Sequence, residues 1–169
     1  MSTAPATAEQ DASQSRLPNP AELIPELKDI GEVLFKATGN GSVPKNTISL
    51  LHLRAGQIVG NTYLTVLHTG NLRKAGETEE RITAVASWRD APYFTGAERA
   101  ALALVEAVLT ANPAGERVSD ELYAQAREHY DDRALATLIM AIGQVCFFIP
   151  LALIGKPLPG LSPAEQWRR

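Results

Sequence analysis

An all-α fold is predicted by three observations. Apolar residues recur at spacings of three and four through nearly every segment after residue 18. Polar capping residues head those segments, and Gly or Pro closes them. No stretch alternates apolar and polar residues as a half-buried strand would, and no repeat of fixed period occurs. The expectation is about seven helices.

The elements follow in order. Residues 1–17 are rich in Ala, Ser, Thr and Gln without periodicity, and read as a disordered tail. "NPAE" then opens a helix. Asn19 caps it, Pro20 suits the first helical position, and Glu22 completes a capping box. Leu23, Leu27, Ile30 and Leu34 form its stripe, and "TGNGS" ends it. A second helix, from about Lys45 to Val59, carries Ile48, Leu51, Ala55 and Ile58. Gly60 stops it, and Asn61 caps a third, from Thr62 to about Ala75, which Gly76 closes. A short helix from Thr78 holds Ile82 and Val85, and the pattern breaks at Pro92. Thr95 and Glu98 form a second capping box ahead of "RAALALVEAVLTA". After the loop "NPAGE", Ser119 caps a helix with Leu122, Tyr123 and Ala126. Asp131 opens the long apolar helix "LATLIMAIGQVCFFIPLALIG", which Gly155, Pro157 and Pro159 end. That run matches the roughly 20 residues of a membrane span. Gln144 and Pro150 interrupt it, however, and it reads as a buried core helix.

The totals narrow the function classes. The 169 residues suit one domain with a sizeable core, at 45% hydrophobic and 21% charged. A net charge of −3, with no basic run, argues against nucleic acid as partner. The N-terminus lacks the basic and apolar regions of a signal peptide, and no membrane partner is expected. The single cysteine, Cys146, cannot make an internal disulfide, a CxxC pair or a cysteine-rich metal site. A cytoplasmic location is the expectation consistent with that usage.

One helical face draws the eye. In "GQIVGNTYLTVLH", Asn61, Leu64 and His68 share a face at spacings of three, four and seven. This stretch, with "LLHLRAGQIVG", "VLHTGNLRKAGETEERI" and above all "WRDAPYFTGAERAALAL", resembles the AhpD-like alkylhydroperoxidases of the carboxymuconolactone decarboxylase superfamily. The resemblance covers roughly residues 18–160 and leaves 161–169 as a C-terminal tail. It implies an AhpD-like all-helical domain and a homo-oligomer. Peroxidase members carry E-x11-C-x2-C-x3-H. On this chain the motif's histidine falls on His68, its cysteines on Asn61 and Leu64, and its glutamate on Ser49. Peroxide reduction of that kind needs a thiolate and a resolving thiol. Asn and Leu supply neither, so thiol peroxidase activity is not expected. Relatives often carry a polar tract in the final helix, where this chain has "CFFIP", Cys146–Pro150. That change suits either a greasier ligand or a filled cavity.

The candidate residues each have two readings. His68 is a general acid or base, or an inherited histidine bonded to a neighbouring helix. Asn61 polarises a substrate carbonyl, or simply caps a helix after Gly60. Tyr63 could protonate an oxyanion, although it lies on a different face from His68. Gln57 presents an amide to the same cavity or bonds between helices. Leu64, Cys146, Phe148 and Ser49 are the other candidate substrate-binding positions; Cys146 otherwise reads as an inert buried thiol. His52, three residues after Ser49, would permit a proton relay with His68, but no carboxylate or cysteine completes a metal spacing. Arg54 is expected to pair with Glu32 or Glu106.

Among the functions weighed, a cofactor-free lyase or isomerase ranks first. It would act on a fairly apolar carbonyl or lactone, resembling the decarboxylase branch, with Asn61, Gln57 or Tyr63 stabilising an oxyanion. No cofactor and no metal are expected. A non-catalytic paralogue binding a hydrophobic ligand or a protein partner is second. A residual oxidoreductase using Cys146 or an external thiol is third.

Overall fold

The computed structural model describes residues 15–162 and 165–166. The tail assigned to 1–14, and 163–164 and 167–169 of the C-terminal tail, lie outside the described residues. Among those described, the chain forms α1 (Pro20–Leu23), α2 (Glu26–Thr38), α3 (Lys45–Ile58), α4 (Thr62–Lys74), α5 (Glu79–Ala84), a 3-10 turn (Val85–Ser87), α6 (Gly96–Leu109), α7 (Asp120–Arg127) and α8 (Asp132–Gly155). There are eight α-helices rather than about seven because the first expected helix is two. Pro25 disfavours helical geometry at the residue before it, and Ile24 sits at φ −134°, ψ 87°.

The capping residues are those the sequence signals, but the box expected at Asn19 and Glu22 does not close, because Glu22 Oε1 accepts from the Asn19 side-chain amide at 3.2 Å and not from its backbone N–H. Asn19, Asn61, Thr78, Thr95, Ser119 and Asp131 each accept a backbone N–H with the side chain at a helix head. Thr95 and Glu98 close a complete capping box. Gly60 and Gly76 hold φ of 64° and 81°, the left-handed region that lets each helix end sharply.

Two apolar clusters hold the helices together. The first joins Ile48, Leu51 and Ala55 of α3 to Leu64 of α4, Val105 of α6, and Leu138, Ala141 and Val145 of α8. The second joins Leu50 and Leu53 of α3 to Leu72, Ile82, Val85, Trp88, Phe94 and Leu102. α3 feeds both, so it is the central helix. Each fully buried leucine in them contributes about 2–3 kcal/mol of transfer free energy. α3 packs most extensively on α4. Gly56 permits this: a Cβ there would stand 3.0 Å from the Thr65 nitrogen and 3.1 Å from the Leu64 Cβ.

α8 has two unlike sides. Its inner side lies in the first cluster, and Gln144 turns in to Thr38 at 3.2 Å. Its outer side exposes Ile139, Met140, Phe147, Leu153 and Ile154. Length and composition alone would let α8 cross a membrane. At the far end, Ser15 Oγ and the Arg16 N–H donate to the Gly155 carbonyl, at 2.9 and 2.8 Å. Residues 15–17, read from sequence as the end of the tail, therefore lie against the terminus of α8.

Candidate functional site

The face of α4 that meets α3 carries Leu64, His68 and Leu72 at intervals of four. Leu64 belongs to the first cluster and Leu72 to the second. His68 falls between them. His52 and His68 each stand eight residues from Gly60 (60 − 52 and 68 − 60). The hairpin therefore lays one opposite the other. Their ring centroids are 5.0 Å apart, tilted by 59°.

The two imidazoles are held differently. His52 is buried, with Nε2 2.8 Å from the Ala141 carbonyl oxygen of α8. A carbonyl only accepts, so Nε2 carries the proton and Nδ1 keeps the lone pair. His68 is half-buried, and its Nδ1 is enclosed with no hydrogen-bond partner. Burial lowers the His52 pKa to about 4, with the Ala141 bond acting in the opposite sense. Burial, and then repulsion from His52, lowers His68 to about 3. Both rings are neutral at pH 7. His68 can then accept a proton or a hydrogen bond, and the proton it would give as an acid is one that it has first taken up.

The other candidates take several positions. Asn61 is engaged at both ends of its amide: Oδ1 accepts from the Leu64 N–H at 2.9 Å, and Nδ2 donates to the Ala152 carbonyl at 3.2 Å. It ties the head of α4 to α8 and positions the face that carries His68. Leu64 is core. Tyr63 packs on the first cluster, about 140° round the helix from His68, and burial raises its phenol pKa. Gln57 has an enclosed, unpartnered Oε1, five residues after His52. Ser49 is half-buried on α3 and brings no charge to the pair. Cys146 is half-buried against the first cluster, and burial pushes its thiol up, away from thiolate. Phe148 lies edge-on to Phe147 at 5.1 Å. Arg54 pairs with Glu106, at 3.2 Å, rather than with Glu32.

The structure thus brings His68 together with His52 and the Ala141 carbonyl. The pairing of His52 with His68 was available in their equal spacing from Gly60. The part played by Ala141 was not, because a backbone carbonyl has no side-chain signature. The donor set for a metal is thin. His52 Nε2 is taken, and among the described residues no group of three His, Cys, Asp or Glu gathers.

Comparison with known proteins agrees with this frame. Residues 27–107 match the family model described as the carboxymuconolactone decarboxylase family. An uncharacterised protein of Bacillus subtilis strain 168, YdfG, is 36% identical over 124 residues, which is 73% of this chain and 83% of that one. A crystal structure from Agrobacterium tumefaciens, of a protein of unknown function bearing the name of the antioxidant defence protein AhpD, superposes with a TM-score of 0.77 at 26% identity. It covers 88% of this chain and all (100%) of that one. The debrominase Bmp8, as a Cys-to-Ala variant in complex with 2,3,4-tribromopyrrole, superposes with a TM-score of 0.74 at 18% identity, over 89% of this chain and 81% of that one. At that identity the likeness shows the fold alone.

Proposed function

Because the chain belongs to the carboxymuconolactone decarboxylase family, we propose that it is a cofactor-free enzyme of lyase or isomerase type. Its substrate is a fairly apolar carbonyl or lactone compound, and neutral His68 is the proton acceptor. One observation carries the reading: His68 Nδ1 is enclosed and unpartnered, opposite a His52 whose tautomer the Ala141 carbonyl selects. An enclosed polar atom without a partner costs about 1–3 kcal/mol, and a ligand donor removes that cost. In the step, the Nδ1 lone pair takes a substrate proton, and the bonding electrons remain on the substrate as an enolate-like anion. Asn61 positions the helix that carries His68. A thiol peroxidase reaction is not part of the reading: Asn61 and Leu64 are a cap and a core residue, and Cys146 is held as the thiol.

The test is turnover of unsaturated lactones, aromatic polyketide-like acids and quinones by wild type and His68→Ala. The expected loss is about a hundredfold, the usual scale of positioned proton transfer. Turnover near the wild-type rate in the variant removes the proposal. A second reading is favoured by the burial itself: an imidazole this hard to charge can hold a donor without taking its proton. That non-catalytic reading predicts ligand stabilisation that depends on His68, with no turnover.

A further inference from the structure

Resting on that reading, we infer that the ligand meets His68 Nδ1 through the O–H or N–H of a weak acid bound in its protonated form, which makes the substrate class phenols and the enols of dicarbonyl compounds. The geometry comes first. Nδ1 is enclosed and without a partner, whereas Nε2 is not among the enclosed unpartnered atoms; the single N–H of the neutral ring costs less to place on Nε2, so Nδ1 holds the lone pair and is complemented by a donor. The neighbouring groups decide the charge. From α3, His52 faces His68 with its Nε2–H already bonded to the Ala141 carbonyl, and Arg54 is held by Glu106. From α8, Asp132 and Arg133 lie in the first turn, eight residues or more before Ala141, and the remaining titratable side chain is the Cys146 thiol. From α5 and its approach, Glu79 is bound to Arg73, and Arg81 to Glu77 and Glu98. None of these supplies His68 with a fixed cation. An anion placed against a neutral imidazole in apolar surroundings would lack a counter-charge. A neutral acid brings its own proton.

The same argument limits the chemistry. A base this weak leaves the proton mainly on a phenol or an enol, so the heteroatom X–H persists as a donor to Nδ1, and an unactivated C–H offers no such bond. On transfer the X–H bond breaks, an N–H bond forms at Nδ1, and the product is an imidazolium–anion pair that balances in charge.

The probe pair is para-nitrophenol and its methyl ether, para-nitroanisole, titrated into the full chain across pH. The expected result is that the phenol binds at least tenfold more tightly than the ether below the phenol's own pKa. Its affinity should then fall tenfold per pH unit above that pKa, while the ether's stays flat. His68 does not titrate in this range, so the slope belongs to the ligand. His68→Ala, with His68→Phe to preserve volume if the alanine variant melts early, should bind both probes at the ether's affinity. Equal affinity for phenol and ether, affinity that rises with pH, no binding of either probe, or a preference that survives both substitutions would each overturn the inference. Equal affinities in a protein whose turnover still depends on His68 would overturn the ligand class alone and leave the enzymatic reading standing.

Discussion

Glu106 and the His52–His68 pair are both polar groups set between helices against apolar neighbours, and they are completed differently. Glu106 of α6 receives Trp88 Nε1 at 2.9 Å, Arg89 Nη1 at 2.6 Å and the Arg54 guanidinium at 3.2 Å. Burial alone would raise its carboxyl pKa. The hydrogen bonds from Trp88 and Arg89, with the charges of Arg54 and Arg89, overcome that and hold it below the ordinary range. The histidines have one bond, from His52 to Ala141, and one enclosed nitrogen left open. With no opposite charge at hand, burial wins and both rings stay neutral. A polar group whose partners all come from the chain is a structural joint. One whose partner is missing has binding capacity to spare.

Removing the hub should give the largest effect on stability. Glu106→Ala strands the Trp88 N–H and the Arg54 charge, and should cost about 2–4 kcal/mol in chemical denaturation. His68→Ala should stay within about 1 kcal/mol of wild type, because no protein hydrogen bond is lost. The reverse order of those two numbers would break the comparison. Gly56→Ala comes next, at about 1–3 kcal/mol, since the new methyl meets the backbone of α4. It should also weaken His68-dependent binding by prising His52 from His68. Unchanged stability would show that the hairpin relaxes freely.

The last effect is a slope. Both histidines have folded pKa values below the unfolded value of 6.5, so the unfolded chain binds more protons between them. Their contribution is intact above pH 6.5 and is lost as pH falls toward about 4 for His52 and about 3 for His68. Each should remove up to about 1.4 kcal/mol per pH unit in that window. Denaturation between pH 7 and 5 should show this, with His68→Phe losing about half of the histidine part. An unchanged slope in that variant would mean that His68 charges freely in the folded state.

Much of the fold was legible because its signals are local. Asn61 caps α4 as read, and its Nδ2 bond to Ala152 appears only once α8 arrives. Arg54 announced an ion pair, but Glu32 and Glu106 were equally reachable until α3 and α6 packed. Pro25 stood in plain view, yet the stripe of Leu23, Leu27, Ile30 and Leu34 runs across it, and periodicity masked the break at Ile24. The final helix read as core because its apolar run is unbroken by charge. Which side meets protein and which exposes Ile139 and Ile154 depends on its neighbours.

By itself the sequence determined the helices, their caps, the Gly60 turn, the family, and the loss of sulfur chemistry at Asn61 and Leu64. Each of these is set by residue type and by spacing within a few turns of chain. Only the tertiary structure decided that His52 donates its Nε2–H to Ala141, that the Asn61 amide is drawn across to Ala152, and that His68 keeps an unmet nitrogen in a place too dry to charge it. The physical reason is that hydrogen-bond completion and desolvation depend on what α8 brings across from some 90 residues away in the chain (89 from His52 to Ala141, 91 from Asn61 to Ala152).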